Sequence, residues 1–377
     1  MTPDLDPAHL ELLERAEGLG RELLPQAAEA DEADRFDAGI RAALASSGLV
    51  AYTVPGAFGG ALPGVDPVSV ALVREALAGH SAHADSMFAM QGIGSFALAL
   101  GGSDAVRDAW LTRVATLDAV AALALTEPDV GSDLRALSTS LTVDGDELVV
   151  DGSKSFITNA PDADFFCVLA READGLSLVF VPADLPGVTV TQPHQVISPH
   201  VLGDVVFDHV RVPLDHRIGA PGEGFGLVLR TLGTFRVSVG AAGVGIARAA
   251  LAEALGYASE RAIFGTTLAR LGSVPGSLAR CWVEIEASRS LVHRAASAAA
   301  RDPLAALSLS SMAKVSGSET AGAVTDRCVQ VMGRFGIVRG SRIERLYRAA
   351  RPGRIYEGST EVILDSLAKQ LLREGAP

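Results

Sequence analysis

The feature that most limits what this chain can fold into is a change of hydrophobic period near Ala119, reversed after Gly222. Before it, stretches such as Leu10 to Leu24 and Val68 to Leu77 repeat apolar residues every three or four positions, the period of an amphipathic helix. The run Gly59-Gly60-Ala61-Leu62-Pro63-Gly64 interrupts that pattern as a loop. Between the two changes the apolar runs are short. Leu141 to Val143 and Glu147 to Val150 flank Asp144-Gly145, a pair that tolerates the positive φ of a tight hairpin. Phe165 to Leu169, Leu176 to Val181, Val188 to Thr191 and Val205 to Val212 follow as further strands, enough for a small sheet or barrel. Helical period then returns. Leu251, Leu255 and Ala258 recur at i, i+4 and i+7, and low-glycine stretches run from Leu278 to Arg301 and from Leu307 to Met332. Pro275, Pro303 and Pro352 fall between the periodic stretches, where they can end helices. The reading is a helical lobe, a small β domain and a helical bundle.

Composition narrows the function. At 377 residues, two or three lobes are expected, and an apolar fraction of 48% with only 5% aromatics favours helices packed through small side chains. A net charge of −13 argues against a nucleic-acid partner, which would need clustered Lys and Arg. Cys167, Cys281 and Cys328 are few and far apart, so neither a disulfide scaffold nor a structural zinc site is expected. The eight histidines show no metal-ligand spacing and read as surface or structural. Met1 to Leu10 carries acids and a proline where a signal peptide needs a basic start, and no uninterrupted apolar run looks long enough to span a bilayer. A cytoplasmic location without a membrane partner is the expectation. Neither Asp151-Gly152 nor Gly222-Glu223-Gly224 fits a Rossmann fingerprint.

Two segments carry chemistry. The first is Leu125-Thr126-Glu127-Pro128-Asp129-Val130-Gly131-Ser132-Asp133, followed by Lys154-Ser155-Phe156-Ile157-Thr158-Asn159. A Pro- and Gly-rich turn can leave backbone N–H groups free for a pyrophosphate or a flat polar ring, and strand alternation would send Phe156 and Thr158 to one face. The second is Arg354-Ile355-Tyr356-Glu357-Gly358-Ser359-Thr360-Glu361. Together with Arg261-Ala262-Ile263-Phe264-Gly265 and the run from Gln330 to Gly333, these motifs resemble the acyl-CoA dehydrogenase family, whose signatures are TEPxxGSD, a KxWITN-like strand, RxxFG, QxxGGxG and YEGT. The resemblance covers nearly the whole chain.

The resemblance implies a mainly α fold with a central β-barrel: an N-terminal α-helical domain over 1–118, a middle β-barrel domain over 119–220 and a C-terminal four-helix bundle over 221–377. It implies FAD, with Leu125 and Thr126 at the flavin pyrimidine edge, Ser132 near the phosphates and the substrate's pantetheine arm, and Phe156 and Thr158 beside the flavin's reactive edge. Arg261 and Phe264 would reach a neighbouring subunit's FAD, and Gln330 and Gly333 would serve the same dinucleotide. Ser359 and Glu361 would also approach FAD. Glu357 would be the base that removes the α-proton of an acyl thioester, with hydride passing to flavin N5. Its backbone N–H would help hold the thioester oxygen, with Gly358 permitting close approach and Tyr356 and Arg236 near the substrate. A homotetramer or dimer and an electron-transfer flavoprotein partner are implied as well. Some relatives place the base just before Arg236, where this chain has Phe235, which cannot take a proton.

Three positions depart from the pattern. Arg334 replaces the usual second glycine of QxxGGxG, Ile197 to Gly203 lacks the usual Arg or Lys and Ser, and Ser359 replaces Thr. The second departure leaves CoA and an acyl-carrier protein both open as carriers. Competing readings are a flavin oxidase or monooxygenase on the same scaffold and a flavin-free scaffold protein. Met87, Gln91 and Ser95 share one face of a helix that could line an acyl pocket or simply pack.

Overall fold

The computed structural model describes residues 5–198 and 200–375. Met1 to Asp4 of the N-terminal stretch and Pro199 within Ile197 to Gly203 lie outside the described residues. In chain order the helices are α1 Pro7–Ala30, α2 Ala38–Ser46, α3 Pro67–Ala78, α4 Ala82–Gly101, α5 Asp104–Ala115, α6 Gly224–Glu260, α7 Val274–Arg301, α8 Leu307–Met332, α9 Arg342–Ala350 and α10 Thr360–Glu374. The strands are β1 Ala121–Ala124, β2 Ser140–Asp144, β3 Glu147–Thr158, β4 Phe165–Glu172, β5 Gly175–Pro182, β6 Val188–Thr191, β7 Leu202–Pro213 and β8 Arg217–Ile218, with a small hairpin of β9 Ala262–Ile263 and β10 Thr266–Thr267. The order is helices, then strands, then helices. Two compact units emerge, one from Met1–Asp31, Pro67–Asp85 and Arg236–Pro377 and the other from Glu32–Asp66 and Ser86–Phe235.

The helical unit is held by small side chains. Val237, Ala241, Val244, Ala247, Val292, Ala313 and Ala321 share one core. Backbones meet at its centre: a Cβ on Gly317 would lie 2.3 Å from the Gly240 carbonyl oxygen, so only glycine lets α6 and α8 approach this closely. The buried stripe of α6 is Ala247, Ala250, Ala254 and Ala258, all 0% exposed, whereas Leu255 is 49% exposed and Leu251 half-buried. The expected period is present, but the inward face is alanine, because helices this close leave no room for leucine. Pro275 starts α7 and does not end a helix, since proline costs nothing in a first turn where its missing N–H has no partner. Glu75 of α3 has a fully buried side chain and accepts from Arg289 at 2.7 Å, Arg248 at 2.8 Å and His293 at 3.0 Å, joining α3 to α6 and α7. Contrary to the sequence expectation, α6 is long and apolar enough by composition to cross a bilayer. Its apolar stretch is 78% buried within the protein, so core packing accounts for its composition.

The second unit is built on an eight-stranded sheet in the order β6-β7-β3-β2-β4-β5-β8, with β1 parallel to β4. Along β4 the faces alternate. Phe165, Cys167 and Leu169 join Leu98, Leu111 and Val114 from α4 and α5, while Phe166, Val168 and Ala170 join Leu148, Val150, Phe207 and Val210. Burial on both faces explains why this strand reads as an unbroken apolar run. Gln91 of α4 is spent on structure: its amide donates to the carbonyls of Val114 and Ala119 and accepts from Ala121 N–H. Ser95 donates back to the Gln91 carbonyl, and Met87 is buried.

Candidate active site

Glu357 sits in a tight turn between α9 and α10. It adopts φ of +52° and Gly358 follows at +98°. A left-handed glutamate costs on the order of 1 kcal/mol, while the glycine takes this conformation freely. The turn is fixed from two sides. Ser359 is the N-cap of α10, accepting from Val362 N–H at 3.4 Å, and Lys314 of α8, 0% exposed, donates to the Gly358 carbonyl.

Around the carboxylate the helical unit gathers charge. Arg74 grips Asp85 with two bonds of 2.8 Å and donates to Ser238 at 3.1 Å. Arg236 donates to Ser311 at 3.1 Å and keeps its buried Nε without a partner. Burial pushes the Glu357 carboxyl up, while the positive charges of Arg74, Arg236 and Lys314 pull it down and Asp85 opposes them. Burial likewise pushes Lys314 down to about 8. One carboxylate oxygen of Glu357, Oε2, is buried without a hydrogen-bond partner. An acid raised above its ordinary value by burial, with a lone pair to spare, suits a general base. Tyr356 remains 43% exposed, yet its phenol is pushed up to about 12 by desolvation of the hydroxyl end, which faces Arg74. Asp85, Arg74 and Lys314 escaped the sequence reading. Lys314 did leave a trace, as a single charge within the run Leu307 to Gly317.

In the sheet unit, Leu125 and Thr126 follow β1 and their carbonyls accept from Lys154 Nζ at 3.0 Å and Ser155 N–H at 2.9 Å. The expectation of free N–H groups in the adjoining turn fails at two positions. Glu127 and Val130 bond each other through both backbones, at 2.8 and 3.1 Å, closing the turn on itself. The Glu127 carboxylate, 4% exposed, accepts from Ser138 N–H and Oγ at 2.7 Å each, from Thr139 N–H at 2.9 Å and from Lys154 at 2.9 Å. Burial raises its pKa, but these bonds win and bring it down to about 2. Ser132 is exposed.

Strict alternation does not deliver Phe156. A register shift in the β3–β7 ladder falls between Lys154 and Ile157, and Phe156 takes φ of +56°. The bulge leaves its ring 50% exposed, stacked on His194 with centroids 4.0 Å apart. Asp204 fixes the bulge, accepting from Phe156 N–H at 3.0 Å and Ser155 Oγ at 2.8 Å, with His194 Nε2 3.1 Å away. The half-buried Thr158 hydroxyl lies 3.3 Å from His200 Nε2, itself 3.4 Å from Ser86 Oγ. His194, His200 and Asp204 therefore join this face, which no local spacing announced.

In the helical unit, Arg261 lies one residue beyond α6, not in its last turn, because the chain there enters the β9–β10 hairpin. Phe264 at the tip has φ of +50° and is 89% exposed. Gln330 and Gly333 are exposed at the end of α8, where Gly333 takes φ of +59°, and Arg334 lies over the Phe335 ring at 5.0 Å. Glu361 is exposed in the first turn of α10. The cysteines are free and buried. Half-buried Asp151 and exposed Asp208 and His209, brought together by β3–β7 pairing, hold ligand-type atoms within 4.8 Å of one another.

Sequence profiles match the acyl-CoA dehydrogenase N-terminal domain over residues 6–118, the middle domain over 122–210 and the C-terminal domain over 222–372. The chain belongs to the acyl-CoA dehydrogenase family. A probable acyl-CoA dehydrogenase, FadE25, of Mycobacterium tuberculosis is 34% identical across 94% of this chain and 92% of its own. The structure of butyryl-CoA dehydrogenase from Megasphaera elsdenii superposes with a TM-score of 0.93 at 30% identity, covering 99% of this chain and all of the other. A glutaryl-CoA dehydrogenase from Mycobacterium smegmatis, in complex with FADH2, gives 0.92 at 26% identity over 99% and 96%. As a member of this family the chain is an FAD-dependent oxidoreductase that dehydrogenates acyl-CoA. Its residues fit the cofactor: the half-exposed Phe156 ring and the Thr158 hydroxyl two residues on offer a flat apolar surface and a hydrogen bond, which is what an isoalloxazine needs.

Proposed function

We propose that the reaction is α,β-dehydrogenation of an acyl thioester with Glu357 as the base. The observation that carries this is the half-buried Glu357, whose Oε2 is buried without a hydrogen-bond partner while three cations act on it. Glu357 takes the proton from the α-carbon as the bond to the β-hydrogen breaks. Its own N–H donates to the thioester oxygen and stabilises the negative charge that develops there. Gly358 keeps the approach open, and Arg236 and Tyr356 line the substrate side of the same turn. Bound FAD supplies the hydride acceptor. In the sheet unit we assign Leu125, Thr126, Phe156 and Thr158 to the flavin ring and Ser132 to the phosphates and pantetheine. In the helical unit we assign Arg261, Phe264, Gln330, Gly333, Ser359 and Glu361 to FAD. The 89% exposed Phe264 supports an assembly in which a neighbouring subunit covers it, a homotetramer or dimer. We further propose that electrons leave through an electron-transfer flavoprotein, that CoA or an acyl-carrier protein bears the acyl group, and that the enzyme works in the cytoplasm.

A panel of CoA- and carrier-linked thioesters, assayed anaerobically for flavin bleaching and then with an artificial electron acceptor, tests the reading. Bleaching and sustained turnover without oxygen are expected. Turnover that stops without oxygen would make the protein an oxidase.

A further inference from the structure

Packing gives no reason for a charge at position 314. Lys314 lies in α8 between Ser310-Ser311-Met312-Ala313 and Val315-Ser316-Gly317-Ser318, among small and apolar residues, and is 0% exposed. Enclosing an ammonium costs several kcal/mol unless something compensates. What it touches is the carbonyl of Gly358, the residue after the proposed base. The negative charge that acts on it most strongly is Glu357, ahead of Glu319 and Glu361.

The cations around Glu357 are not equivalent. Arg74, from α3, is engaged two-pronged by Asp85 at the start of α4, so much of its charge is already balanced. Arg236, from α6, leans on a neutral hydroxyl, Ser311. Tyr356 stays a neutral phenol across the working range. Lys314 alone among these groups bonds the backbone of the turn that carries the base.

Resting on the reading of Glu357 as base, we propose that Lys314 is a positioning residue for proton abstraction: its ammonium holds the Gly358 carbonyl, which sets the left-handed turn aiming Glu357, and its charge favours the ionised carboxylate. Glu357 must be ionised to accept a proton, burial disfavours that form, and a nearby cation restores it. Removing the cation therefore moves the acid limb of the reaction to higher pH.

The test uses the FAD-loaded enzyme and the variants K314M, K314R and E357Q. Three readouts are taken: flavin absorbance, thermal unfolding, and the rate of flavin bleaching by a reactive acyl-CoA across pH. K314M is expected to keep its flavin spectrum, to bleach about tenfold more slowly at neutral pH, and to show its acid limb displaced upward with KM little changed. K314R, which keeps the charge, is expected to hold the limb at the wild-type position. Slowing of K314M by one factor at every pH, or a limb displaced as far in K314R as in K314M, would reduce Lys314 to a packing residue and overturn the proposal. If K314M does not take up FAD, K314Q is judged by the same limb. E357Q separates the two layers: bleaching at the wild-type rate would remove the base itself and this proposal with it. An inert E357Q beside an unshifted K314M would overturn the role of Lys314 alone.

Discussion

Each unit sets a glutamate near a buried lysine, Glu127 buried and Glu357 half-buried, and the two behave in opposite ways. Glu127 receives four hydrogen bonds, one of them from Lys154, and its carboxyl falls to about 2. Glu357 keeps one oxygen with no donor at all, and its carboxyl rises. Both have cations close by. What separates an anchor from a base is therefore the number of donors touching the carboxylate, not the charge around it. Lys154 donates to the Glu127 carboxylate itself, whereas Lys314 donates to a neighbouring carbonyl while Glu357 Oε2 has no donor.

One substitution made twice tests this contrast most severely. E357Q should lose proton abstraction by about a thousandfold or more, measured by flavin bleaching, while its thermal midpoint stays equal or rises because a poorly solvated acid has gone. E127Q should do the reverse. It leaves Lys154 charged and 0% exposed without its carboxylate, at a cost of about 3–5 kcal/mol, readable by denaturant unfolding, and E127Q/K154M should recover part of the loss. Equal stability losses at the two positions would end the comparison.

The acid dependence of stability sharpens it further. The folded pKa of Glu127, about 2, lies below its ordinary 4.5, so its contribution is complete above about 4.5 and is lost as pH falls toward 2. Wild type should destabilise across that window more steeply than E127Q, as followed by unfolding at fixed pH values. The smallest effect belongs to S359A, which removes the cap of α10 next to Glu357. About 1 kcal/mol of stability should go, read as a lower midpoint in denaturant unfolding.

The fold was legible because hydrophobic period is a local property. Helices and strands fell where the period of 3–4 or 2 placed them, and the resemblance that singles out Glu357 as a candidate rests on contiguous residues, Tyr356-Glu357-Gly358. What escaped depends on residues far apart in the chain. Arg74 and Lys314 are 240 positions apart, counted from their numbers, yet act on one carboxylate. The stacking of Phe156 on His194 depends on a bulge that no alternation rule contains. Leu255 keeps the helical spacing of Leu251 and Ala258 yet faces outward, because α6 packs so closely that alanine is the inward residue. The turn after Thr126 looked free because a pattern of Pro and Gly does not reveal that Glu127 and Val130 satisfy each other.

The glycine contact between α6 and α8 has a reach beyond packing. Gly240 lies four residues from Arg236 on one helix and Gly317 three from Lys314 on the other, so the spacer that sets the interhelical gap also sets the distance between two charges flanking the base. A methyl group added at Gly317 touches no reactant, yet it would prise the helices apart and detune the electrostatics one turn away.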